Sequence, residues 1–407
     1  MKLLRVSLGK LLLFQSLILV LTISVTLSST VLQTYTPRVR AAGAMPFVQG
    51  NHILDGQGHL LILRGAHIES TLNIAEPYVT PGAVLATQHL TSITFDLMRN
   101  TWNMNAVRIA TSDSLWKAHP GEYMGTLKSV VANANLAGLY VILSLHEDLR
   151  SGLQLNESGS EMPTDLAVAY WHTVAAAFKS NPMVMFDVYN EPRIRGLTGQ
   201  GLTDKDWQLW LHGGILYPGT QYSVNVRGVQ DLVNAIRQAG AKQIVIVEAL
   251  QNWFQTIDAN GTGSNFVVDP NVVYSAHVYF QDNTRTLQDW NLKFGDVSST
   301  NDLLTRFPIF VGEWAFTPNI YLARCNNLTP QQAIALVNSF LHYMQQNNMS
   351  WTAFAFTIKQ LFLDYTHYTP TQLAIPTGAP PWTCGMPTPI VGDGYLVQQY
   401  LLSNPPG

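Results

Sequence analysis

The chain has 407 residues, of which 47% are hydrophobic, 10% aromatic and only 12% Asp, Glu, Lys or Arg, about half the charged share of an ordinary globular protein. A formal net charge of −3 builds no field that gathers phosphates, so nucleic acid is not expected as a partner, and the hydrophobic share excludes intrinsic disorder. Two cysteines exclude a disulfide-built scaffold and a four-cysteine metal site, which leaves a globular chain with ample length for a large core.

Lys2, Arg5 and Lys10 precede an apolar run from Leu11 to about Val25, the order of a secretion signal. The run is shorter than the roughly 20 residues of a membrane span. Ala42-Gly43-Ala44 offers a small-x-small cleavage site and Ser28-Ser29 an earlier one. Residues 1–44 are therefore expected to be a leader, with a retained membrane anchor as the alternative, and the mature protein to be extracellular. Residues 45–407 are expected to form a single domain.

That domain opens with a hairpin signal, Phe47-Val48 and His52-Ile53-Leu54 leading into Asp55-Gly56-Gln57-Gly58. Short β-rich runs then recur at 60–66, 106–110, 139–145, 183–189, 243–248, 272–278, 308–313 and 351–356. Most are continuously apolar, as strands buried on both faces of a parallel sheet must be. Helical patterns lie between them. Leu166–Phe178 stops at Asn181-Pro182; Val229, Leu232, Val233 and Ile236 precede Gly240; Thr329-Pro330 opens a stripe of Ile334, Val337, Leu341 and Met344; a last helix covers Tyr395–Leu402. Eight such alternations predict an α/β fold, a (β/α)8 (TIM) barrel with a short N-terminal β-hairpin; an open doubly wound sheet is the alternative. No glycine-rich phosphate loop follows any strand.

Two connections after strands are long. The one from Pro192 to about Val226 holds Trp207, Trp210, Tyr217 and Tyr222; the one from Gln360 to about Ile390 holds Asp364, Tyr365, His367, Tyr368 and Trp382. Their rings are read either as sugar-stacking platforms or as the small cores of the loops. Cys325 and Cys384 follow adjacent strands, the seventh and eighth, so a disulfide between them is expected.

Polar residues stand where the apolar strands end. Asn190-Glu191-Pro192 closes the fourth run and Gly312-Glu313-Trp314 the seventh. A lone glutamate there would be a salt-bridged rim group, but two facing each other across a barrel mouth match glycoside hydrolysis, in which one carboxyl protonates the leaving oxygen while the other attacks the sugar. Arg108 inside Ala106-Val107-Arg108-Ile109 needs a carboxylate partner, for which Glu313 is suited. His146 ends the third run, and His277-Val278-Tyr279 the sixth.

These pieces resemble glycoside hydrolase family 5, the cellulase family of (β/α)8 barrels. The matching residues are Asp55-Gly56-Gln57-Gly58 with Leu63-Arg64-Gly65, Asn105–Ile109, Gly138–Ile142 running to His146, Phe186–Pro192, His277–Tyr279 and Val311–Glu313. The resemblance implies Glu191 as general acid/base and Glu313 as nucleophile. It implies that Asn190 binds the sugar 2-hydroxyl, that Arg108 and Tyr279 hold Glu313 ionised, and that His146 and His277 line the −1 sugar site. A retaining outcome, carboxyl groups about 5–5.5 Å apart and a Glu191 that starts protonated follow from those roles.

Two positions depart from the family. Phe354 stands where a tryptophan usually floors the −1 sugar, so either Phe354 or Trp351 supplies the ring; His67 stands where Leu-Arg-Gly is usually followed by x-Asn. The resemblance implies a secreted endo-β-1,4-glucanase acting on a β-linked polysaccharide, with no cofactor, no metal and no protein partner, and a monomer. β-Mannanase, exo-β-glucanase and glycosylceramidase share the signature and are the alternatives. A non-catalytic sugar-binding barrel would need a broken carboxylate, and neither is broken. A metal-dependent barrel hydrolase would use His146, Glu147 and His277.

Overall fold

The structure, a computed structural model, describes residues 44–68, 89–146, 162–221, 223–280, 284–295, 303–316, 328–358, 360–373 and 392–405. All of them belong to one unit of the chain, Arg40–Gly407. The leader expected over residues 1–44, Glu147, Tyr222, Trp382 and both Cys325 and Cys384 lie outside the described residues, Ala44 excepted. Among the described residues no helix is long and apolar enough to cross a membrane.

An antiparallel hairpin, β1 (Phe47–Gln49) and β2 (His52–Leu54), turns at Gly50, whose φ of 59° favours glycine. Asp55 builds a second turn, its Oδ1 accepting the backbone N–H groups of Gln57 and His59 at 2.9 Å each. Leu60 is used in bridging back to Leu54. The first barrel strand therefore begins at Arg64 and not at Leu60.

The barrel strands are β3 (Arg64–Ile68), β4 (Ala106–Thr111), β5 (Tyr140–Leu145), β6 (Val184–Asp187), β9 (Val245–Glu248), β10 (Val272–Ser275) continued by β11 (Val278–Tyr279), β12 (Ile309–Ala315) and β13 (Ser350–Ala353). Parallel pairing runs through them in that order, and β13 closes on β3 through Trp351–Arg64, Thr352–Gly65 and Ala353–Ala66. This is the expected closed (β/α)8 barrel, not an open sheet. Gly65 is obligatory: a Cβ there would lie 1.8 Å from the Ala106 carbonyl oxygen of the neighbouring strand.

Strand period positions the site. The outward residues Val107, Ile109, Val141, Leu143, Phe186, Val245, Val247 and Tyr274 join the large core under the helices. The inward residues change character along each strand. Ala106, Ile142, Met185, Ile246, Val273 and Phe310 form an apolar layer that Ile53, Leu61 and Leu63 plug from below. One step of two residues further, the inward positions are Arg108, Ser144, Asp187, Glu248 and Ser275, all buried. The C-terminal half of the barrel interior is thus polar, where such barrels carry function.

The outer helices follow their sequence signals. They are α1 (Ser92–Asn100), α2 (Asp113–Ala118), α3 (Pro120–Leu136), α4 (Asp165–Phe178), α5 (Asp204–His212), α6 (Val229–Gln238), α7 (Leu287–Lys293), α8 (Leu303–Arg306), α9 (Pro330–Gln346) and α10 (Gly394–Ser403). Thr329 and Gln332 cap α9 reciprocally around Pro330. The long connection after the fourth barrel strand is folded: it carries α5 and a hairpin of β7 (Gly213–Leu216) and β8 (Val224–Arg227).

Candidate active site

Arg108 is fully buried and organises the barrel mouth. Its Nε donates to Asp187 Oδ2 at 2.8 Å, and Nη1 to Glu313 Oε1 at 2.7 Å and His67 Nδ1 at 3.1 Å. Its Nη2 donates to Ser144 Oγ and Asn190 Oδ1 at 2.8 Å each and to Glu248 Oε1 at 2.7 Å. A buried guanidinium needs such compensation, and burial among three carboxylates holds it charged. The expected Arg108–Glu313 pair is present, and Tyr279 donates its hydroxyl to the other Glu313 oxygen, Oε2. Glu313 is thereby oriented by two fixed donors.

Glu191 ends the fourth barrel strand in a left-handed conformation, with φ 45°. Such a backbone in a non-glycine residue marks a site where the surroundings impose the geometry. Its N–H donates to Glu248 Oε2 at 2.7 Å. Its Oε1 faces His277 Nδ1 at 3.0 Å and the Asn252 amide at 3.2 Å; its Oε2 accepts from Arg193. His277 Nδ1 is also 3.6 Å from Glu313 Oε2, and one oxygen of each glutamate lies within 4.8 Å of the other. Gly312 makes room for this ring, since a Cβ there would sit 2.8 Å from His277 Nε2.

The expectation that Glu191 rests protonated is not met. Burial pushes its carboxyl up, but the His277 hydrogen bond and the charges of His277, Arg193 and Lys293 outweigh it and hold the group below the usual carboxylate range. Asp187 moves the other way: burial and the Glu248 charge exceed the pull of Arg108 and raise it to about 7.

The remaining expected residues separate into two groups. His67 and His146 stack at the mouth with ring centroids 5.2 Å apart, and His67 stacks on Phe354 at 5.3 Å. Both histidines leave Nε2 without a hydrogen-bond partner, and burial and the Arg108 charge keep both neutral. Phe354 is half-buried and meets Tyr279 edge-on at 5.9 Å, so it belongs to the mouth. Trp351 does not. It is 1% exposed and packs against Trp314 and Tyr400, because a residue three positions from Phe354 on an extended strand faces the opposite side. Trp351 therefore does not supply the sugar floor.

Trp207 and Trp210 are likewise wholly buried, edge to face at 5.3 Å, with their indole N–H groups on Thr256 Oγ1 and the Glu248 carbonyl. They form the core of the long loop and offer no face to a sugar. Tyr217 is half-buried, and its hydroxyl accepts the Arg195 N–H. Asp364 caps its own loop through the N–H groups of Thr366 and His367, while Tyr365 stacks on His89 at 3.7 Å.

Six residues of the site were not singled out from sequence: Ser144, Asp187, Arg193, Glu248, Asn252 and Lys293. Glu248 obeys the same rule as Glu191 and Glu313, a carboxylate where an apolar strand ends. Asn252 is set by the turn after β9, where Gln251 and Asn252 have φ of 55° and 65°; its side chain also accepts the His277 N–H. Lys293, from the end of α7, donates to the Asn252 carbonyl at 2.6 Å and lies over the Trp253 ring; burial lowers it to about 7.

Among the described residues two groups of donors could hold a metal by spacing, His67 with His146 and Glu313, and Glu191 with His277 and Glu313. In both, Glu313 is engaged by Arg108 and Tyr279. Of the set His146, Glu147 and His277, Glu147 lies outside the described residues.

A closed barrel with paired carboxylates at the ends of its fourth and seventh strands defines the class, and comparison with known proteins gives the family. Residues 78–360 match the family model described as cellulase (glycosyl hydrolase family 5). The chain belongs to that family, as the sequence motifs implied. It is 24% identical to endoglucanase C of Evansella cellulosilytica over 65% of this chain and 31% of the relative. It is 24% identical to a mannan endo-1,4-β-mannosidase of Cellvibrio japonicus over 68% of this chain and 53% of the relative. The chain thus spans about half or less of the length of these relatives. In fold it is similar to a β-glucanase of Saccharophagus degradans, with a TM-score of 0.62, 17% identity, and coverage of 90% of this chain and 96% of the other.

Proposed function

We propose that the protein is a secreted, retaining endo-β-1,4-glucanase working by double displacement. The observation that carries this is the Glu191–His277–Glu313 cluster, with carboxylate oxygens within 4.8 Å of each other. That spacing suits a nucleophile and an acid/base on one bond; an inverting pair stands about 6.5–9.5 Å apart to admit a water.

Glu313, held by Arg108 and Tyr279, attacks the anomeric carbon as Glu191 gives a proton to the departing glycosidic oxygen. The covalent sugar ester then yields to a water that Glu191 deprotonates. Asn190 has its oxygen on Arg108, which turns its Nδ2 to the sugar 2-hydroxyl. The free Nε2 atoms of His67 and His146 suit further hydroxyls, and Phe354 provides an apolar floor. Arg193 is 54% exposed, so a sugar on the leaving-group side can displace it, removing a charge that holds Glu191 ionised.

The substrate is tested by product profiles on carboxymethylcellulose, lichenan, glucomannan and laminarin from one purified preparation. A β-1,4-glucanase cleaves the first two internally, gives mixed oligosaccharides, and keeps its rate in excess chelator. Activity confined to mannan-containing substrate, monosaccharide as the sole product, or loss of activity on chelation would overturn the assignment.

A further inference from the structure

Glu248 lies on the fifth barrel strand, behind the pair of catalytic glutamates, and touches neither the nucleophile nor the open mouth. It nevertheless contacts three parts of the machinery. Its Oε1 accepts from Arg108 Nη2 at 2.7 Å and faces His277 Nε2 at 3.1 Å; its Oε2 takes the N–H of Glu191 at 2.7 Å. The contact with His277 has a consequence for protons. Both nitrogens of that ring face carboxylate oxygens, Nδ1 toward Glu191 at 3.0 Å and Nε2 toward Glu248 at 3.1 Å. Ionised carboxylates present only lone pairs, so each of these short contacts requires a hydrogen between the two heavy atoms. Two hydrogens are therefore shared along the line Glu191–His277–Glu248, one more than a neutral imidazole carries.

We infer, building on the glycosidase reading above, that Glu248 is a positioning residue that keeps a proton on Nε2 of His277, so that Nδ1 is the nitrogen that exchanges a proton with Glu191. The ring is held between these two carboxylates. Its backbone N–H is held by Asn252, and the ring sits so close to Gly312 that a Cβ there would lie 2.8 Å from Nε2. In the acid step the Nδ1 proton of the imidazolium moves to Glu191 Oε1. This leaves a neutral imidazole with its proton on Nε2, against Glu248, and a protonated Glu191. Glu191 then passes that proton to the leaving oxygen as the glycosidic bond breaks. In the second half-reaction Glu191 removes a proton from water and returns one to Nδ1, so the cycle consumes none. The division of labour is that of a carboxylate–imidazole pair in acyl transfer: the carboxylate fixes the tautomer and the far nitrogen handles the proton.

The electrostatic surroundings agree. The groups facing this line are Glu191, Glu313, Asp187 and Arg108 within the barrel, His67 and His146 at the mouth, and Arg193 and Lys293 beside Glu191. Burial favours a neutral His277, but the charges of Glu248 and Glu313 and the hydrogen bonds to Glu191 and Glu248 hold it protonated up to about 10.

The test uses the full chain labelled with 15N at histidine, in wild-type form and as Glu248→Gln, with the His277 signals identified by their loss in His277→Asn. At about pH 8 the wild-type ring is expected to carry a proton on Nε2. In Glu248→Gln the amide can donate to Nε2, the proton moves to Nδ1 alone, kcat falls about 100-fold or more with KM within about threefold, and the alkaline limb of kcat/KM moves down by about one pH unit or more. Glu248→Asp, which restores the carboxylate, is expected to recover part of kcat and return the alkaline limb. A wild-type ring without a proton on Nε2 would overturn the inference, and so would a folded Glu248→Gln enzyme with unchanged kcat and pH profile. The ring-nitrogen readout needs no substrate, so it fails or succeeds independently of the glucanase assignment.

Discussion

Replacing Glu313 with alanine is expected to lower kcat on a β-glucan by about 10,000-fold or more, with little change in thermal stability. Among the described residues no other carboxylate can take over the attack: Glu248 and Asp187 lie deeper in the barrel, fixed on Arg108. Stability is spared because Arg108 keeps those two acidic partners when the third is removed. Glu191→Gln is expected to behave differently according to the leaving group. Natural glucan, whose alkoxide needs a proton, should lose about 100- to 10,000-fold, whereas an aryl glycoside with a good leaving group should lose much less in the first step. Steady-state kinetics on both substrates check this. Either variant retaining turnover within about tenfold of wild type on glucan would remove its residue from the mechanism.

The second large effect concerns folding. Arg108→Met should cost about 3–5 kcal/mol of stability, read by urea or thermal unfolding, because it leaves Asp187, Glu248 and Glu313 together in a buried space without their cation. Arg108→Lys should do nearly as badly, since a single ammonium cannot serve acceptors on Asp187, Glu313, Ser144, Asn190, Glu248 and His67 at once. The loss has a predictable pH dependence. Carboxylates deprived of Arg108 bind protons more tightly folded than unfolded, so their folded pKa values lie above the unfolded ones. The variant is then nearest to wild type below about pH 4 and falls further behind as pH rises through those folded values. A deficit that is the same at acid and neutral pH would place the cost in packing instead of charge.

Much of this arrangement could be read from the chain. Most of the barrel strands stood out because they are continuous apolar runs, and the termini of the fourth and seventh runs exposed Glu191 and Glu313 as carboxylates in improbable company. Glu248 ends its strand as Glu191 nearly does, but no neighbouring motif singles it out. Asp187 is inside Phe186-Asp187-Val188, and only the inward phase of β6, shared with Met185, reveals that it points at Arg108. Asn252 and Lys293 reach the site from a left-handed turn and a helix end, and local sequence does not encode that distance. The aromatic residues were readable in one case: Trp207 and Trp210, three apart on a helix, share a face that α5 buries. Trp351 was separable from Phe354 by strand period alone.

The low charge of the chain is also clarified. With so few ionisable residues, four carboxylates, an arginine and a histidine are nonetheless concentrated within one barrel mouth. Such a concentration is costly in a buried space, and it is offset by the hydrogen bonds of Arg108 and His277, by Arg193 on Glu191 and by the raised pKa of Asp187.

If Glu191 and Glu313 act on one sugar by two successive displacements, the product keeps its anomeric configuration. Proton NMR of a cello-oligosaccharide digest, recorded before mutarotation, tests it most directly. The newly formed reducing end is expected to appear first as the β-anomer and to drift later toward the α-anomer; first appearance of the α-anomer would rule out double displacement.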